Sequence, residues 1–219
     1  MSRFQVVLFD LDETLYPRSA AIMAQVSERI NEYLVKHFGL SPAEAADLRR
    51  RYRNTYGTAL RGLMEEGYPI DVEDFFRYVH DIDLDGRIEE DPALRAMLLA
   101  LPLRRAVLTN SNLEHAERVL QRMGVRDCFE RVIDIRALNF YNKPSPESYQ
   151  RALSLLGVPA EAVIFVEDTP ANTRAARALG ITTVLVDCPE PDAADHYVSS
   201  VLDVGAVVQR LIRDSSSTT

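Results

Sequence analysis

Short apolar segments alternate with amphipathic segments along most of the chain. Five runs are short, apolar and bounded by turn residues, which is typical of buried strands. They occupy 6–9, 106–109, 132–135, 162–166 and 183–186. Helical patterns at 114–123, 146–156 and 170–179 each stop at a glycine. This alternation predicts an α/β fold with a doubly wound, Rossmann-like parallel sheet and right-handed crossovers.

Residues 18–91 interrupt the alternation with helical periodicity and almost no strand pattern. An apolar stripe at 22–34 predicts one helix, Ser41 with Glu44 predicts the capping box of a second, and Asp71 marks the start of a third. We therefore expect an inserted helical subdomain in this interval.

These patterns predict a specific domain organisation. Residues 1–17 and 92–213 would form the α/β core, and 18–91 a helical cap above the carboxyl ends of the strands, where such sheets bind ligands. A lid is the natural role for that cap. The polar segment 214–219 has low complexity and predicts a disordered tail.

Composition narrows the classes of function. The chain has 219 residues, a formal net charge of -8 and a pI near 5.1, which oppose binding to nucleic acid polymers or anionic membranes. No apolar run approaches the roughly 20 residues of a membrane span, and the amino terminus lacks a signal-peptide pattern. Cys128 and Cys188 lack metal-type spacing and indicate no disulfide framework. We expect a cytoplasmic protein; the sequence assigns no oligomeric state.

The first strand ends in a pair of acids, Asp10 and Asp12. Residues two apart on a strand point to the same side, so both carboxylates would face the expected ligand edge. A divalent cation offsets their repulsion, and Mg²⁺ suits one or two carboxylates plus a substrate phosphate. Alternatively, acids at a strand end simply begin a turn or cap a helix.

Polar residues also follow three later strands. Thr109 and Ser111 bring hydroxyls and backbone amides that suit a phosphate, although either could instead cap the next helix. Lys143 lies in a turn-rich stretch and could reach a phosphate, whereas most loop lysines are solvated. Asp168 follows the fourth strand, where it or Thr169 could also serve as an N-cap. Taken together, these residues predict one catalytic edge of the sheet.

These polar residues occur in the order and at the strand ends found in the haloacid dehalogenase superfamily. The chain resembles that superfamily over nearly its whole length. The resemblance implies a nucleophilic Asp10, a general acid and base at Asp12, phosphate contacts from Thr109, Asn110 and Lys143, and Mg²⁺ held by Asp10, Asp12 and Asp168. Glu167 would support Asp168 from beside it. Asn172 departs from the superfamily, because many members carry another acid there, and its role as ligand, water anchor or helix residue stays open.

The second acid, Asp12, separates two branches of the superfamily. The dehalogenase branch lacks an acid at that position, so the resemblance implies phosphate chemistry through an aspartyl-phosphate. The runs at 52–63 and 109–116 are similar to those of pyrimidine 5'-nucleotidases, which implies a nucleoside monophosphate substrate and cap contacts from Tyr56 and Arg61. Packing between helices of the inserted subdomain explains the run at 52–63 equally well. His115, early in a helix, is expected on the surface.

Three alternatives remain open at this point. One is a phosphatase for another small phosphorylated metabolite, such as phosphoglycolate or a sugar phosphate. A second is a phosphoryl-transferring mutase on the same scaffold. A third is a phosphorylation-controlled signalling module, which fits less well because receiver domains are smaller, lack the long helical insert, and carry their phosphoacceptor after a later strand.

Overall fold

The computed structural model describes residues 3–188 and 190–216. The chain divides into two compact units: Met1–Pro17 with Ile88–Thr219, and Arg18–Arg87. The helical unit thus ends before Asp91, where the sequence placed its boundary. Ile88 accepts a hydrogen bond from Arg122 Nε at its backbone oxygen, and the Asp91 backbone nitrogen donates to Met123, so these residues belong to the α/β unit.

The α/β unit is built on a parallel sheet that confirms the predicted fold class. Its described strands are β1 Val6–Phe9, β2 Arg104–Leu108, β3 Arg131–Ile133, β4 Val163–Glu167, β5 Thr182–Val186 and β6 His196–Val198. Their order is β3-β2-β1-β4-β5-β6, and every pair is parallel. β1 therefore lies at the centre, where the strand order reverses and such sheets bind ligands.

Helices cover both faces of this sheet. They are α5 Pro92–Ala100, α6 Leu113–Arg122, α7 Pro146–Leu156, α8 Pro170–Ala178 and α9 Val204–Ser216. Leu8 packs in one apolar cluster with Tyr149 of α7 and Ala176 of α8. Val7 and Phe9 point to the opposite face and are fully buried as well. Burial of consecutive residues explains why β1 is apolar throughout rather than alternating.

The helical unit contains four helices, which are α1 Ile22–Phe38, α2 Pro42–Tyr56, α3 Ala59–Glu65 and α4 Val72–Val79. The predicted capping box is present: Glu44 backbone nitrogen donates to Ser41 Oγ, and Ser41 backbone nitrogen donates to the Glu44 carboxylate. Asp71 caps α4 as expected. Helix α3 was not predicted, because its seven residues span less than two full periods of an apolar stripe.

Three elements of the α/β unit also escaped the sequence patterns, namely α5, β6 and α9. Helix α9 runs to Ser216, so part of the segment expected to be a disordered tail is helical; residues 217–219 lie outside the described residues. Among the described residues, no helix combines the length and apolar composition needed to cross a membrane.

Candidate active site

Asp10 follows β1 and is nearly buried. Its backbone nitrogen donates to Val166 of β4, which continues the sheet pairing past the end of β1. One carboxylate oxygen lies 2.5 Å from Lys143 Nζ, and the other accepts a 2.7 Å hydrogen bond from Thr14 Oγ1. The carboxylate is therefore held at both oxygens by side chains from two different loops.

Lys143 is only 2% exposed despite its charge. Its ammonium contacts Asp10 and also donates to Glu167 at 2.8 Å. Burial lowers the pKa of Lys143, but the two carboxylates outweigh that effect and hold the pKa above its usual value. Lys143 is thus a permanently charged group between two acids, and the sequence-based alternative of a solvated loop lysine is wrong.

The backbone of Lys143 is fixed by Asn110. The Asn110 carboxamide accepts from Lys143 backbone nitrogen at 2.8 Å and donates to Lys143 backbone oxygen at 3.1 Å. A further donor, Asn142 Nδ2, reaches the same oxygen. Asn110 follows β2, so its side chain ties the lysine loop to the central part of the sheet. The Asn110 side chain therefore supports the lysine loop, and its predicted phosphate contact stays a prediction.

Three buried acids lie together at the ends of β1 and β4. Asp10, Glu167 and Asp168 each offer a carboxylate oxygen within 4.8 Å of the others. Oxygen ligands of this kind suit a small hard cation such as Mg²⁺. Burial raises the pKa of Asp10 to about 6, with Lys143 opposing and Asp168 adding to the rise. A bound divalent cation would favour the ionised form, so the donor set fits the predicted metal.

Glu167 has four hydrogen-bond donors around its two oxygens. The backbone nitrogens of Asp168 and Thr169 donate to one oxygen at 3.1 Å, and Lys143 with Asn172 Nδ2 donate to the other. Four donors match the roughly four lone pairs of a carboxylate. Glu167 therefore orients its neighbours, and Asn172, whose role the sequence left open, holds Glu167 in place.

Asp12 belongs to a separate hydrogen-bond network. Tyr16 Oη and His115 Nε2 lie 2.7 and 2.8 Å from its Oδ1, and Ser111 Oγ donates to its Oδ2 at 2.7 Å. Burial raises the pKa of Asp12, but His115, Tyr16 and Ser111 outweigh it and hold the pKa well below its usual range. The Asp12 carboxylate is not part of the three-acid cluster, although the sequence placed it among the metal ligands.

His115 corrects the expectation of a surface residue. Its side chain is completely buried on the inward face of α6, together with Ala116, Val119 and Leu120. That apolar face was readable in the sequence, because these positions follow the helical repeat. Burial places the imidazole against Asp12 rather than in solvent.

Thr109 ends β2 and is almost fully buried. Its backbone nitrogen donates to Ile133 of β3, and its Oγ1 accepts from Ser111 backbone nitrogen at 2.9 Å. Neither Thr109 nor Ser111 caps α6, whose N-cap is Asn112. Similarly, the N-cap of α8 is Thr169 rather than Asp168. The capping alternatives therefore do not account for these residues.

Two contacts come from residues that the sequence did not single out. Thr14 donates to Asp10, and Tyr16 donates to Asp12; each pair is four residues apart. A turn closed by a hydrogen bond from Leu15 backbone nitrogen to Leu11 backbone oxygen brings these residues together. The turn is not helical, because Glu13 within it has a left-handed φ of 65°.

Within the helical unit, Tyr56 and Arg61 have neighbours of their own. Tyr56 Oη lies 3.5 Å from Glu66 Oε1, and Arg61 pairs with Glu65 along α3. A methyl group on Gly62 would fall 2.6 Å from Tyr52 Cβ. Close packing therefore accounts for Tyr52 and Gly62 of the run at 52–63, whereas the substrate contacts of Tyr56 and Arg61 stay predictions.

Comparison with known proteins assigns this arrangement to a family. The family model described as haloacid dehalogenase-like hydrolase matches residues 4–180. The chain belongs to this family. Enzymes of several activities share this family, and the closeness to pyrimidine nucleotidases implied by the sequence stays a prediction.

Two relatives illustrate the range within the family. Phosphate metabolism protein 8 of Saccharomyces cerevisiae is 25% identical over 83% of this chain, which spans only 61% of that protein. N-acetylmuramic acid 6-phosphate phosphatase of Pseudomonas aeruginosa is 26% identical, with 97% of this chain and 98% of the relative covered. Among solved structures, a phosphatase of the family from Thermococcus onnurineus has a TM-score of 0.64 at 18% identity, covering 94% of this chain and 98% of its own. That likeness shows the common fold.

Proposed function

We propose that this chain is a Mg²⁺-dependent phosphomonoester hydrolase that works through an aspartyl-phosphate on Asp10. The observation that supports this most directly is the contrast between two nearby carboxylates. Asp10 contacts Lys143 and lies in the three-acid cluster, whereas Asp12 lies in a network of hydroxyl and imidazole groups. Two acids held in different environments suit two different roles, a nucleophile and a proton-transfer group.

In the first step, an Asp10 oxygen attacks phosphorus in line, and the bond from phosphorus to the ester oxygen breaks. The hydrogen bonds to Asp12 favour its ionised form in the ligand-free protein, so Asp12 takes up a proton when the substrate binds. It then gives this proton to the departing oxygen, which leaves as an alcohol. In the second step, water attacks the phosphorus of the aspartyl-phosphate while Asp12 takes the water proton. Inorganic phosphate leaves, Asp12 releases its proton to water, and both carboxylates return to the ionised form.

Lys143 and the end of β2 would stabilise the charge on the transferring group. Proton transfer contributes roughly 10²- to 10⁴-fold, far less than phosphate monoester hydrolysis requires, so positioning and charge stabilisation carry most of the acceleration. Mg²⁺, held by Asp10 and Asp168, would supply positive charge to the phosphoryl oxygens. Thr109 Oγ1 and the Asn110 backbone amide are the proposed phosphate donors, since the Ser111 amide already donates to Thr109 Oγ1.

We propose a nucleoside monophosphate as the substrate, in line with the resemblance of the runs at 52–63 and 109–116 to pyrimidine 5'-nucleotidases. Relatives named for N-acetylmuramic acid 6-phosphate and phosphoglycolate support the broader class of small phosphorylated metabolites. Tyr56 and Arg61 are the proposed cap contacts. Arg61→Ala should then reduce turnover of nucleotides more than turnover of an aryl phosphate.

A relative named (S)-2-haloacid dehalogenase raises a second candidate. Halide displacement needs no proton for the leaving group, so three hydrogen-bond donors around an acid at position 12 would serve no purpose in that reaction. The arrangement of Asp12 therefore favours ester hydrolysis.

The decisive experiment is phosphate release from a panel of monoesters with Mg²⁺ present. The panel contains uridine, cytidine and adenosine 5'-monophosphates, phosphoglycolate, a hexose phosphate and p-nitrophenyl phosphate, with 2-chloropropionate as the halide substrate. We expect phosphate release that is lost in Asp10→Asn and in EDTA. Full turnover by Asp10→Asn, or chloride release without phosphate release, would sink the proposal.

A further inference from the structure

We propose that Tyr16 and His115 are positioning residues that clamp one oxygen of Asp12, so that the other oxygen, Oδ2, exchanges the proton with the leaving group. This inference rests on the proposed phosphatase function and adds to it which oxygen atom of Asp12 donates and accepts the proton. It also assigns a role to two residues for which the resemblance implied none.

The two oxygens of Asp12 differ in their partners. Oδ1 lies 2.7 Å from Tyr16 Oη, which donates to it, and 2.8 Å from His115 Nε2. Oδ2 accepts from Ser111 Oγ alone among the described hydrogen bonds, at 2.7 Å. A carboxylate oxygen has about two lone-pair sites. The two contacts to Oδ1 therefore occupy both of its lone-pair sites, whereas the described hydrogen bonds leave one lone-pair site on Oδ2.

This asymmetry decides which oxygen can be protonated without loss of the network. A proton on Oδ1 would face two groups that already occupy its lone pairs, so Tyr16 or His115 would have to move away. A proton on Oδ2 would face only the Ser111 hydroxyl, which can rotate from donor to acceptor. Oδ2 can thus gain and lose a proton while Tyr16 and His115 stay in place.

The same contacts fix the tautomer of His115. An ionised carboxylate only accepts hydrogen bonds, so a ring nitrogen 2.8 Å from it must carry hydrogen. His115 therefore carries a proton on Nε2. Its side chain is completely buried, so the imidazole has no route to a different orientation without repacking α6. A rigid donor is well suited to hold an acid in one rotamer.

The test is the dependence of kcat/KM on the leaving group in a series of aryl and alkyl phosphates at one pH. A good leaving group departs without a proton, whereas a poor one requires it. For Tyr16→Phe and His115→Ala we expect kcat/KM to change little, within about 3-fold, for p-nitrophenyl phosphate. For alkyl phosphates kcat/KM should fall about 10²-fold, because these variants lose general acid catalysis.

Matched variants separate positioning from packing. Tyr16→Phe keeps the ring and removes only the hydroxyl, so it preserves the fold even if His115→Ala does not. His115→Gln restores a neutral N–H donor and should recover part of the rate with alkyl phosphates. Thr183→Val, a buried polar residue of β5 bonded to Asp195, controls for general loss of stability and should leave the leaving-group dependence unchanged.

A spectroscopic measurement on the unmodified enzyme tests the tautomer directly. ¹⁵N-histidine labelling gives signals from four histidines, and the signal missing in His115→Gln identifies His115. We expect its Nε2 at the shift of a protonated nitrogen. Protonation at Nδ1 alone would overturn the clamp.

These measurements distinguish failure of the proposed function from failure of the positioning inference. If the unmodified enzyme releases no phosphate from any monoester, the proposed function fails, and the histidine spectrum still reports on the contact with Asp12. If it hydrolyses the whole series and both variants lose rate uniformly, with an unchanged leaving-group dependence, the positioning inference fails while the proposed function stands.

Discussion

The Asn110 carboxamide pairs with both backbone polar groups of Lys143, at 2.8 and 3.1 Å. This pairing joins the end of β2 to the loop that delivers the ammonium to Asp10. Lys143 is 33 residues further along the chain than Asn110, so no local turn geometry can replace the contact. The position of the Lys143 ammonium therefore depends on a neutral side chain.

Asn110→Ala should accordingly reduce kcat by about 10²-fold, because displacement of a catalytic group by about 1 Å costs that much. Two lost hydrogen bonds should lower the free energy of unfolding by about 2 kcal/mol. Steady-state kinetics and urea unfolding measure both effects. Asn54→Ala on the exposed side of α2 is the control. A change in KM alone would indicate instead that Asn110 contacts the substrate.

Asp10→Asn should stabilise the metal-free protein while abolishing turnover. The pKa of Asp10 is raised to about 6 in the folded state from an ordinary 3.8, so the folded protein binds the proton more tightly than the unfolded chain does. Stability therefore falls as pH rises from about 4 through 6. The difference of about 2 pKa units corresponds to about 3 kcal/mol.

Urea unfolding in EDTA at pH 4 and pH 8 measures this effect. From pH 4 to pH 8 the free energy of unfolding of the unmodified protein should fall relative to that of Asp10→Asn, whose amide cannot ionise. Equal pH dependence of both proteins would show that the Asp10 carboxylate is not penalised by burial. Asp203→Asn, an exposed acid, is the matched control.

Asp168→Asn should weaken Mg²⁺ binding. Asp168 supplies one of the three clustered carboxylates, and an amide oxygen carries no charge for the cation. In EDTA-treated protein, Mg²⁺ should raise the midpoint of thermal unfolding, since a ligand that binds the folded state stabilises it. We expect about 10-fold more Mg²⁺ for the same shift in Asp168→Asn. An unaltered titration would remove Asp168 from the metal site.

Gly62→Ala should destabilise the helical unit. The added methyl group would overlap the Tyr52 ring, and Tyr52 is fully buried and bonded to Glu66 through its hydroxyl. Overpacking of this kind typically costs about 1–3 kcal/mol. Gly39→Ala is the comparison, because nothing lies within 4 Å there and only its positive φ of 68° opposes a side chain. Urea unfolding should rank Gly62→Ala as the more damaging change.

The sequence predicted the fold and much of the candidate site because both depend on simple repeating rules. Parallel strands deliver their carboxyl ends to one edge, so acids and a lysine after different strands had to converge. Asp10 lies against Lys143, and it also clusters with Glu167 and Asp168 of another strand end, as that rule requires. Helix α7 has the predicted bounds, because a proline begins it and Gly157 ends it.

The Asp12 network was harder to predict, because it depends on backbone conformation and on which helix face is buried. Glu13 adopts a left-handed φ of 65°, which is uncommon for a residue other than glycine and sets the turn that brings Tyr16 to Asp12. Nothing in its side chain indicates this. Strand β6 has three residues, one of them the exposed Tyr197, and is too short for a pattern. Helix α5, in contrast, had a readable signal in Asp91 followed by Pro92.

The central position of β1 has a consequence for synthesis of the protein. β1 is made first, yet its partners in the sheet begin at Arg104 and Val163. During synthesis, this apolar strand therefore has no sheet partner on either edge until about a hundred further residues have emerged from the ribosome. The helices of the intervening unit form from local contacts and can fold during that interval, whereas the sheet closes late. The nascent chain is thus most exposed to aggregation before β4 is complete, which is the stage where chaperone binding would matter most.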